Sequence, residues 1–561
     1  PLHLICEDIH WADASSVELL TRLLPLLNTA PVLFCAVSRA EPDSPGWRLV
    51  TAIRQSADLP NCHDLALNPL SPGDGRNLLK NIFHHSALPE ALYDRILDRA
   101  GGNPFFVEEV VRMWVDQGVL VRGSGGWHTT HLTESVEIPD TLHALLLARM
   151  DRLPEPARRT LQVAAVLGRR FSARLLQEIT GQHTAGLGLH LNTLRAAEII
   201  VPAEVGTEDE YTFRHNLVQE AAYQSLLRDD RRDLHRAAAE ALERLYPDLT
   251  IDLAHLLAHH YHEAGDTSRS LRYFVLAGDA DFKQYAVAEA IGHYTHALEH
   301  ARELGLDLPT SNWQHLGLQL GRALELDTRY AEALAVYDEL EALARQRAEE
   351  PLELAALLES ARLYCTPNPA FNPGRGAEYA GRALALAQRL DDRAAEARVH
   401  WVLSLLYWLI NQPDTALENG EISLKLAREL NLREQLAFTL HDLTRPLMLV
   451  HRQREAMAGL DESRRLWREL SNLPMLADNL NTTADIYGQL RQPERELEYA
   501  AEAYELSRTI GNLWNQAFSR GLMGEAQQML GRYPEAILAL QESLEASKQA
   551  GLGILSRRVL F

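Results

Sequence analysis

The feature that most constrains the fold is a period of 40 residues in the C-terminal half of the chain. Similar strings begin at four equally spaced positions, and an apolar register position recurs within them: Ala416, Ala456, Glu496 and Ala536, with Leu426, Leu466 and Leu506. Polar turns such as 411–414 interrupt the apolar runs, which predicts two helices in each unit. A helix pair of this kind hides its apolar face only against its neighbours, so the sequence predicts a stacked array.

These helix pairs resemble tetratricopeptide repeats of the longer kind, with about 40 residues per unit. The resemblance implies a superhelix with a concave groove. We expect the exposed faces of the first helices to line it, such as Asn479, Asn481 and Asp485, although these polar residues could equally be plain solvated surface. It also implies that a protein or a small ligand binds in this groove. Since no polar cap follows the last predicted helix, we expect the array to be cut there.

At the other end of the chain, the apolar run 2–6 leads into two adjacent carboxylates, Glu7 and Asp8. A short apolar run without alternation predicts a strand that is buried on both faces. Ligands bind at the carboxyl ends of such strands. Phosphoryl transfer uses one acid there to hold Mg²⁺ and another to orient the attacking water. The alternative is a buried strand that leads into a helix capped by Asp13 or by one of the two serines after it.

A second buried strand is predicted over residues 31–39, after an amphipathic helix over 15–28. A strand, helix, strand order with short connections implies a parallel pair. Arg39 would then emerge at the same edge as the two carboxylates, although it could instead be a surface arginine that opens a loop. A third short strand is predicted over 65–70, followed at Ser71-Pro72 by a helix start signal.

Downstream, Gly101-Gly102-Asn103-Pro104 predicts the end of one helix and the start of the next. A glycine-turned hairpin is predicted over 119–128. Four helices are then predicted between 141 and 197. Strands at 199–202 and 211–214, joined by an acidic turn, close this segment, which is typical of a winged helix. His215 follows directly after the second strand.

In this order the strings resemble the STAND branch of the AAA-related ATPases, which are signalling ATPases with a winged helix and a repeat array. By that resemblance the string from Glu7 to Asp13 is a Walker B element, with Glu7 at the Mg²⁺ position and Asp8 at the water-orienting one. The two roles could be reversed, because most Walker B strands carry aspartate first. Arg39 corresponds to the sensor 1 arginine, which reaches the γ-phosphate.

The same resemblance makes Pro104 the proline of a Gly-x-Pro element that packs on the adenine. The ordinary preference for proline at the first position of a helix explains this residue equally well. His215 corresponds to a histidine that touches the β-phosphate of ADP and locks the resting state. However, Arg214 and Asn216 depart from the Met-His-Asp pattern of the family, so His215 could instead cap a helix or pack within the wing.

A P-loop requires a Gly-Lys pair followed by Ser or Thr, and none of the four lysines follows a glycine: Lys80, Lys283, Lys425 and Lys548. We therefore expect the chain to be an N-terminally truncated fragment that does not hydrolyse ATP by itself. The implied cofactors of the full-length parent are ATP or ADP and Mg²⁺.

The resemblance covers nearly the whole chain and predicts a mainly α fold in four parts. These are the C-terminal half of a P-loop ATPase domain (1–66), a helical lid (67–135), a winged helix (136–235) and a tetratricopeptide solenoid (236–561). The implied function is a nucleotide switch that a ligand on the repeats releases, with nucleotide-dependent oligomerisation and a cyclase or other effector domain in cis. The alternative is a scaffold that does not hydrolyse nucleotide and uses only the repeat groove.

Composition excludes several other classes. A formal charge of −22 disfavours nucleic acid as a partner. The apolar run 403–410 is too short to span a membrane. Four scattered cysteines suit a cytoplasmic protein and argue against a zinc site. His255 and His259 are spaced to share a metal on one helix face, but no third ligand is evident and packing explains them better.

Overall fold

The computed structural model describes residues 2–55, 62–83, 90–123, 126–130, 138–203 and 209–549. The chain divides into two compact units, Pro1–Leu308 and Pro309–Phe561. In the described residues the protein is mainly α, and its C-terminal part is a solenoid of helical repeats, as the sequence predicts.

The strands all lie in the first unit: β1 (Leu2–Cys6), β2 (Val32–Ala36), β3 (Leu120–Gly123), β4 (Gly126–Thr129), β5 (Arg170–Ser172), β6 (Ile200–Pro202) and β7 (Glu210–Phe213). The helices of this unit are α1 (Ala14–Leu23), α2 (Pro45–Gln55), α3 (Pro72–Ile82), α4 (Glu90–Ala100), α5 (Pro104–Asp116), α6 (Leu142–Met150), α7 (Glu155–Leu167), α8 (Ala173–Thr180), α9 (Thr184–Ala196), α10 (Asn216–Gln224), α11 (Arg228–Leu245), α12 (Ala254–Glu263), α13 (Thr267–Lys283) and α14 (Val287–Leu304).

The predicted parallel pair of β1 and β2 is confirmed, with Leu2 opposite Val32. The prediction that β1 is buried on both faces is wrong, because Leu2 and Ile5 are 61% and 63% exposed. The apolar core of this region lies on one side of the sheet, where β1 and β2 share it with α1 and α2. The strand predicted over 65–70 is also absent. Leu67 is 93% exposed, since no described strand pairs with this segment.

Helices α3, α4 and α5 form the next core, around Leu79, Ile96 and Trp114. The helix start signals are confirmed: the Ser71 side chain caps α3, and Asn103 caps α5. Strands β3 and β4 pair as the predicted antiparallel hairpin, and its turn at 124–125 lies outside the described residues.

Helices α6 to α10 pack around a three-stranded antiparallel sheet with the order β5-β7-β6. The pairing of β6 with β7 agrees with the two predicted strands, and part of the acidic turn between them lies outside the described residues. Strand β5 is an addition that the sequence did not predict. Its three residues are too few to show an alternating pattern.

The second unit contains α15 (Thr310–Leu326), α16 (Tyr330–Arg347), α17 (Glu350–Cys365), α18 (Pro373–Arg389), α19 (Arg393–Leu409), α20 (Pro413–Glu429), α21 (Arg433–Asp442), α22 (Thr444–Leu449), α23 (Gln453–Glu469), α24 (Leu473–Gln489), α25 (Pro493–Thr509), α26 (Leu513–Met529) and α27 (Tyr533–Gln549). The 40-residue period is therefore two helices of 17 residues with short turns, as in α24 and α25.

From α18 onward, one residue with left-handed backbone lies in each turn between consecutive repeats or between the two halves of a repeat. These residues recur every 20 positions. They are Asp391, Asn411, Asn431, His451, Ser471, Arg491, Gly511 and Gly531. A left-handed residue ends a helix sharply and lets the next helix run back antiparallel. The regular spacing explains why neighbouring helices stack in register.

Candidate functional site

The edge where β1 ends is shaped by Asp8, which adopts a left-handed backbone with φ 53° and ψ 37°. A 3-10 helix, Ile9–Trp11, begins directly after it, so the chain turns sharply at the predicted Walker B carboxylates. Glu7 is exposed, whereas Asp8 is half-buried. Left-handed backbone is unfavourable for a residue with a side chain, so the contacts of Asp8 have to hold it there.

Those contacts come from the body of helices around the three-stranded sheet. Asp8 Oδ2 accepts a hydrogen bond from the Arg169 guanidinium at 2.9 Å and another from Asn216 Nδ2 at 3.2 Å. Arg169 lies immediately before β5, and Asn216 is the first residue of α10. One carboxylate oxygen therefore joins the first sheet to two distant parts of the chain. Such charge-assisted hydrogen bonds are the stronger kind.

One oxygen of the Asp8 carboxylate is engaged by protein groups. Oδ2, on the carboxylate that the sequence assigns to Mg²⁺ or to its water, accepts hydrogen bonds from Arg169 and Asn216. Among the described residues, no group of three His, Cys, Asp or Glu side chains is placed to hold a metal. In this conformation Asp8 is therefore an anchor for Arg169 and Asn216.

Arg39 lies at the same edge, as the parallel pairing predicts. Its guanidinium lies 6.0 Å from the centre of the Trp11 ring, a cation–π contact. Its backbone N–H faces His10 Nδ1 at an N···N distance of 3.5 Å. His10 is only 4% exposed, and its Nε2 has no hydrogen-bond partner among the described residues. The Arg39 side chain itself is exposed.

Pro104 and His215 are brought to neighbouring positions. Pro104 is the first residue of α5, and the ring of the following Phe105 lies 4.4 Å from the His215 ring, centre to centre. His215 occupies the N-cap position of α10 but makes no capping hydrogen bond. Burial, followed by the nearby charge of Arg214, lowers the pKa of His215. Burial therefore favours the neutral form of His215, whose ring packs against Phe105 at the start of α5.

A buried ion network beside this contact escaped the sequence analysis. Glu109 of α5 is 2% exposed and accepts from Arg149 Nη1 at 2.8 Å and from Arg112 at 3.0 Å. Arg112 also binds Glu198, which in turn binds Arg214 at 2.7 Å. A buried carboxylate without such partners would be strongly destabilising. The one sequence signal was an acid within the apolar run of α5.

Helix α1, which packs on the β1–β2 sheet, also contacts α14, a helix of the segment predicted as the repeat solenoid. Glu289 of α14 accepts hydrogen bonds from the backbone N–H of Ser15, at 2.7 Å, and from its hydroxyl, at 2.6 Å. Ser15 lies in the first turn of α1, where a carboxylate is favoured by the helix dipole. Asp13 caps the same helix through the Ser16 N–H. Contacts therefore link the three segments that the sequence analysis named Walker B, Gly-x-Pro and wing. Helix α14 contacts the helix after the first of them, through Ser15.

Within the repeats, the structure corrects the predicted groove. Asn479 and Asn481 are fully buried, and only Asp485 of the three is partly exposed. Asn479 donates to Ser463 Oγ at 2.6 Å and accepts from Arg464 at 3.0 Å. Because buried amides need partners, these side chains hold helix pairs together and do not face a ligand.

A different polar and aromatic face lies on α19, α21 and α22. Trp401 Nε1 donates to Asp442 at 2.8 Å, and Asp442 also accepts from Arg445 at 3.0 Å. The Arg445 guanidinium lies 5.2 Å from the centre of the Trp408 ring. All four side chains are partly exposed. Aromatic and arginine side chains are enriched at protein–protein interfaces.

No protein-family model matches the chain. An uncharacterized protein of Rhizobium meliloti (strain 1021) is 28% identical over 305 residues, which is 53% of this chain. The chain spans 28% of the length of that curated relative.

Solved structures of helical repeat proteins resemble the chain at low identity. A signal transduction ATPase with numerous domains (STAND) protein with a tetratricopeptide repeat sensor, from Pyrococcus horikoshii, is 12% identical with a TM-score of 0.39, covering 99% of this chain and 83% of that chain. The apo form of the quorum sensor NprR from B. thuringiensis is 14% identical with a TM-score of 0.41, covering 58% of this chain and 90% of that chain. At these TM-scores the likenesses do not establish a shared fold.

Among the helices of the described residues, none has both the length and the hydrophobicity that a membrane span requires.

Proposed function

We propose that the chain belongs to a regulatory nucleotide switch of the STAND class, which senses a protein or small ligand through its repeats and controls a fused or partner signalling output. One contact supports this most: the hydrogen bond between Asp8 and Asn216, 208 positions apart in the chain. It joins the string predicted as Walker B to the one predicted as the ADP-sensing element.

In this proposal the body around β5, β6 and β7 is a winged helix, and α3 to α5 form the lid. Arg39, Pro104 and His215 would contact ATP or ADP. Glu7 and Asp8 would serve Mg²⁺ and the attacking water once Arg169 has left Asp8. Hydrolysis is proposed only for a protein that also carries a P-loop, because the 561 residues contain no Gly-Lys pair.

Ligand binding to the repeats would be transmitted through α14. Glu289 already touches Ser15 next to the predicted Walker B string, so movement of α14 would disturb the first turn of α1. A ligand shifts such an equilibrium only by its differential affinity for the two states. The proposed output is a cyclase or other effector domain in cis, or a nucleotide-dependent oligomer, in the cytoplasm.

Isothermal titration with ADP, and separately with Mg·ATP, of a protein that carries this chain together with a P-loop tests the proposal. We expect saturable binding of both nucleotides by a protein that carries the P-loop. The 561-residue chain should bind Mg·ATP no better than about millimolar, because the P-loop amides and lysine are missing. Absence of nucleotide binding to the protein that carries both this chain and a P-loop would contradict the proposal.

A second candidate is a scaffold that does not hydrolyse nucleotide and binds partners only through its repeats. The partly exposed face formed by Trp401, Trp408, Asp442 and Arg445 favours it, since this face lies entirely within α19, α21 and α22. The two functions differ in one outcome. In a scaffold, Asp8→Asn would leave partner binding unchanged, whereas in a switch it would alter the partner's affinity.

A further inference from the structure

A group of histidines lies where α11 meets α12. His235 and His260 are 2% and 1% exposed, and their Nδ1 atoms are 2.8 Å apart. At that distance one ring donates and the other accepts, so at least one of them is neutral. Tyr223 OH lies 3.0 Å from His235 Nε2. The other nitrogen of His260, Nε2, has no hydrogen-bond partner among the described residues.

A second histidine pair connects α12 to α14. His262 Nδ1 of α12 lies 3.0 Å from His300 Nε2 of α14, and the Ser270 hydroxyl of α13 lies 3.2 Å from the same His300 nitrogen. The Phe274 ring stacks on His296 and His300. Imidazoles therefore bridge α11 to α12 and α12 to α14.

The ionisable groups around the His235–His260 pair are few and come from three helices. Tyr223 belongs to α10, Arg231 to α11, and His259 and Glu263 to α12. Helix α13 presents the Ser270 hydroxyl to the Ala258 carbonyl, and its Arg269 binds Tyr261 instead. In the described residues no carboxylate is hydrogen-bonded to either ring, so a proton added to this pair would have no directly paired negative charge.

We propose that the contact between α11 and α12 is an acid-responsive junction, in which protonation of the His235–His260 pair separates the two helices and loosens repeat helices α13 and α14 from the preceding body. A doubly protonated pair would place two positive charges 2.8 Å apart in a site that excludes water. Neither ring could then accept the hydrogen bond. This inference does not depend on nucleotide binding.

The direction of the pH dependence follows from the protonation equilibria. Burial, then the neighbouring charges of His259 and Arg231, lowers the pKa of His235 to about 4. Burial, then His235 and His259, lowers the pKa of His260 to about 3. The closed junction therefore prefers neutral rings. Its stability is complete above the pKa of a solvated histidine, about 6.5, and is lost as the pH falls below that value.

At pH 5, linkage between a closed-state pKa of about 4 and an open-state pKa of about 6.5 favours opening by roughly 30-fold for His235 alone. Hydrogen–deuterium exchange of the 561-residue chain at pH 7.5 and pH 5 measures this, with labelling times scaled for the pH dependence of intrinsic exchange. We expect the peptides that cover α11 and α12 to open at least about tenfold more at pH 5. Peptides from α3 to α5 should change much less.

The matched variants are His260→Asn, which keeps a hydrogen-bonding group at the Nδ1 position but cannot be protonated, and His255→Asn, an exposed histidine of the same helix. H260N should reduce the acid response of α11 and α12, while H255N should keep it. An identical response in H260N and the wild type would overturn the proposal.

A measurement on the unaltered chain covers the case in which H260N does not fold. Exchange of the histidine Cε1 hydrogen, followed by mass spectrometry across pH 3–8, titrates each histidine. We expect His235 and His260 to titrate well below the ordinary histidine pKa of about 6.5. Titration of both near the ordinary histidine value would equally overturn the proposal.

Discussion

The contact between Asp8 and Arg169 can be measured by a double-mutant cycle. Asp8→Asn removes the charge but keeps the shape, and Arg169→Ala removes the donor. The side chains are 33% and 46% exposed, so solvent screens the pair and only part of a buried interaction remains. Exposed ion pairs contribute about 0.2–1 kcal/mol and hydrogen bonds to charged groups about 1.5–3 kcal/mol. We expect a coupling of about 1 kcal/mol, or roughly fivefold in the local opening constant.

Hydrogen exchange of peptides covering residues 2–12 reads this coupling locally, which avoids assuming that the whole chain unfolds in two states. The coupling should weaken between 0.05 and 0.5 M NaCl, because salt screens exposed charges. The matched control is Arg170→Ala, since Arg170 binds Glu210 and not Asp8. Additive effects of Asp8→Asn and Arg169→Ala would refute the anchor role of Asp8.

Four further substitutions test the packing of the repeats, and hydrogen exchange of peptides from the altered helix and its neighbours measures each change in stability. Trp467 is fully buried against Phe438, so Trp467→Ala should cost about 3–5 kcal/mol. The adjacent Leu466 is only partly buried, so Leu466→Ala should cost about 1 kcal/mol; equal costs would contradict the observed packing. His451 has φ 61°, and His451→Gly should stabilise by about 0.5–1 kcal/mol, because glycine adopts this backbone without strain. Asn411 has the same φ but tolerates it better, so Asn411→Gly should gain less; destabilisation by both would refute this reasoning.

Much of the fold was predictable because it repeats or is locally signalled. The 40-residue period is visible in the sequence since each pair buries equivalent side chains. The caps at Ser71 and Asn103 follow from the preference of short polar side chains for N-cap positions. The turns between the repeat helices were predicted, but their left-handed backbone was not. Only Gly511 and Gly531 among these residues are glycines, and histidine or arginine in such a turn carries no sequence signal.

The candidate site was predictable only in part. The sequence selected Glu7, Asp8, Arg39, Pro104 and His215, and the structure places Asp8 and His215 at the two sides of Asn216. Sequence reasoning could not identify the residues that contact these side chains. Long-range ion pairs, such as the 161-residue separation of Asp8 and its arginine, leave no periodic trace. Polar residues inside a helix, such as Asn479, also suggest solvent exposure unless their partners on other helices are known.

The binding of ADP to His215→Ala tests the central proposal most directly. A protein that carries this chain together with a P-loop, and its His215→Ala variant, would be titrated with ADP and with Mg·ATP in parallel. His190→Ala is the control from the same body of helices. His190 binds Gln182 at 2.9 Å, away from the Phe105 contact. A nucleotide switch predicts that His215→Ala weakens ADP binding more than ATP binding, since the histidine would contact the nucleotide only in the resting state. Equal effects on both nucleotides, or none, would show that His215 serves only to pack α10 against α5.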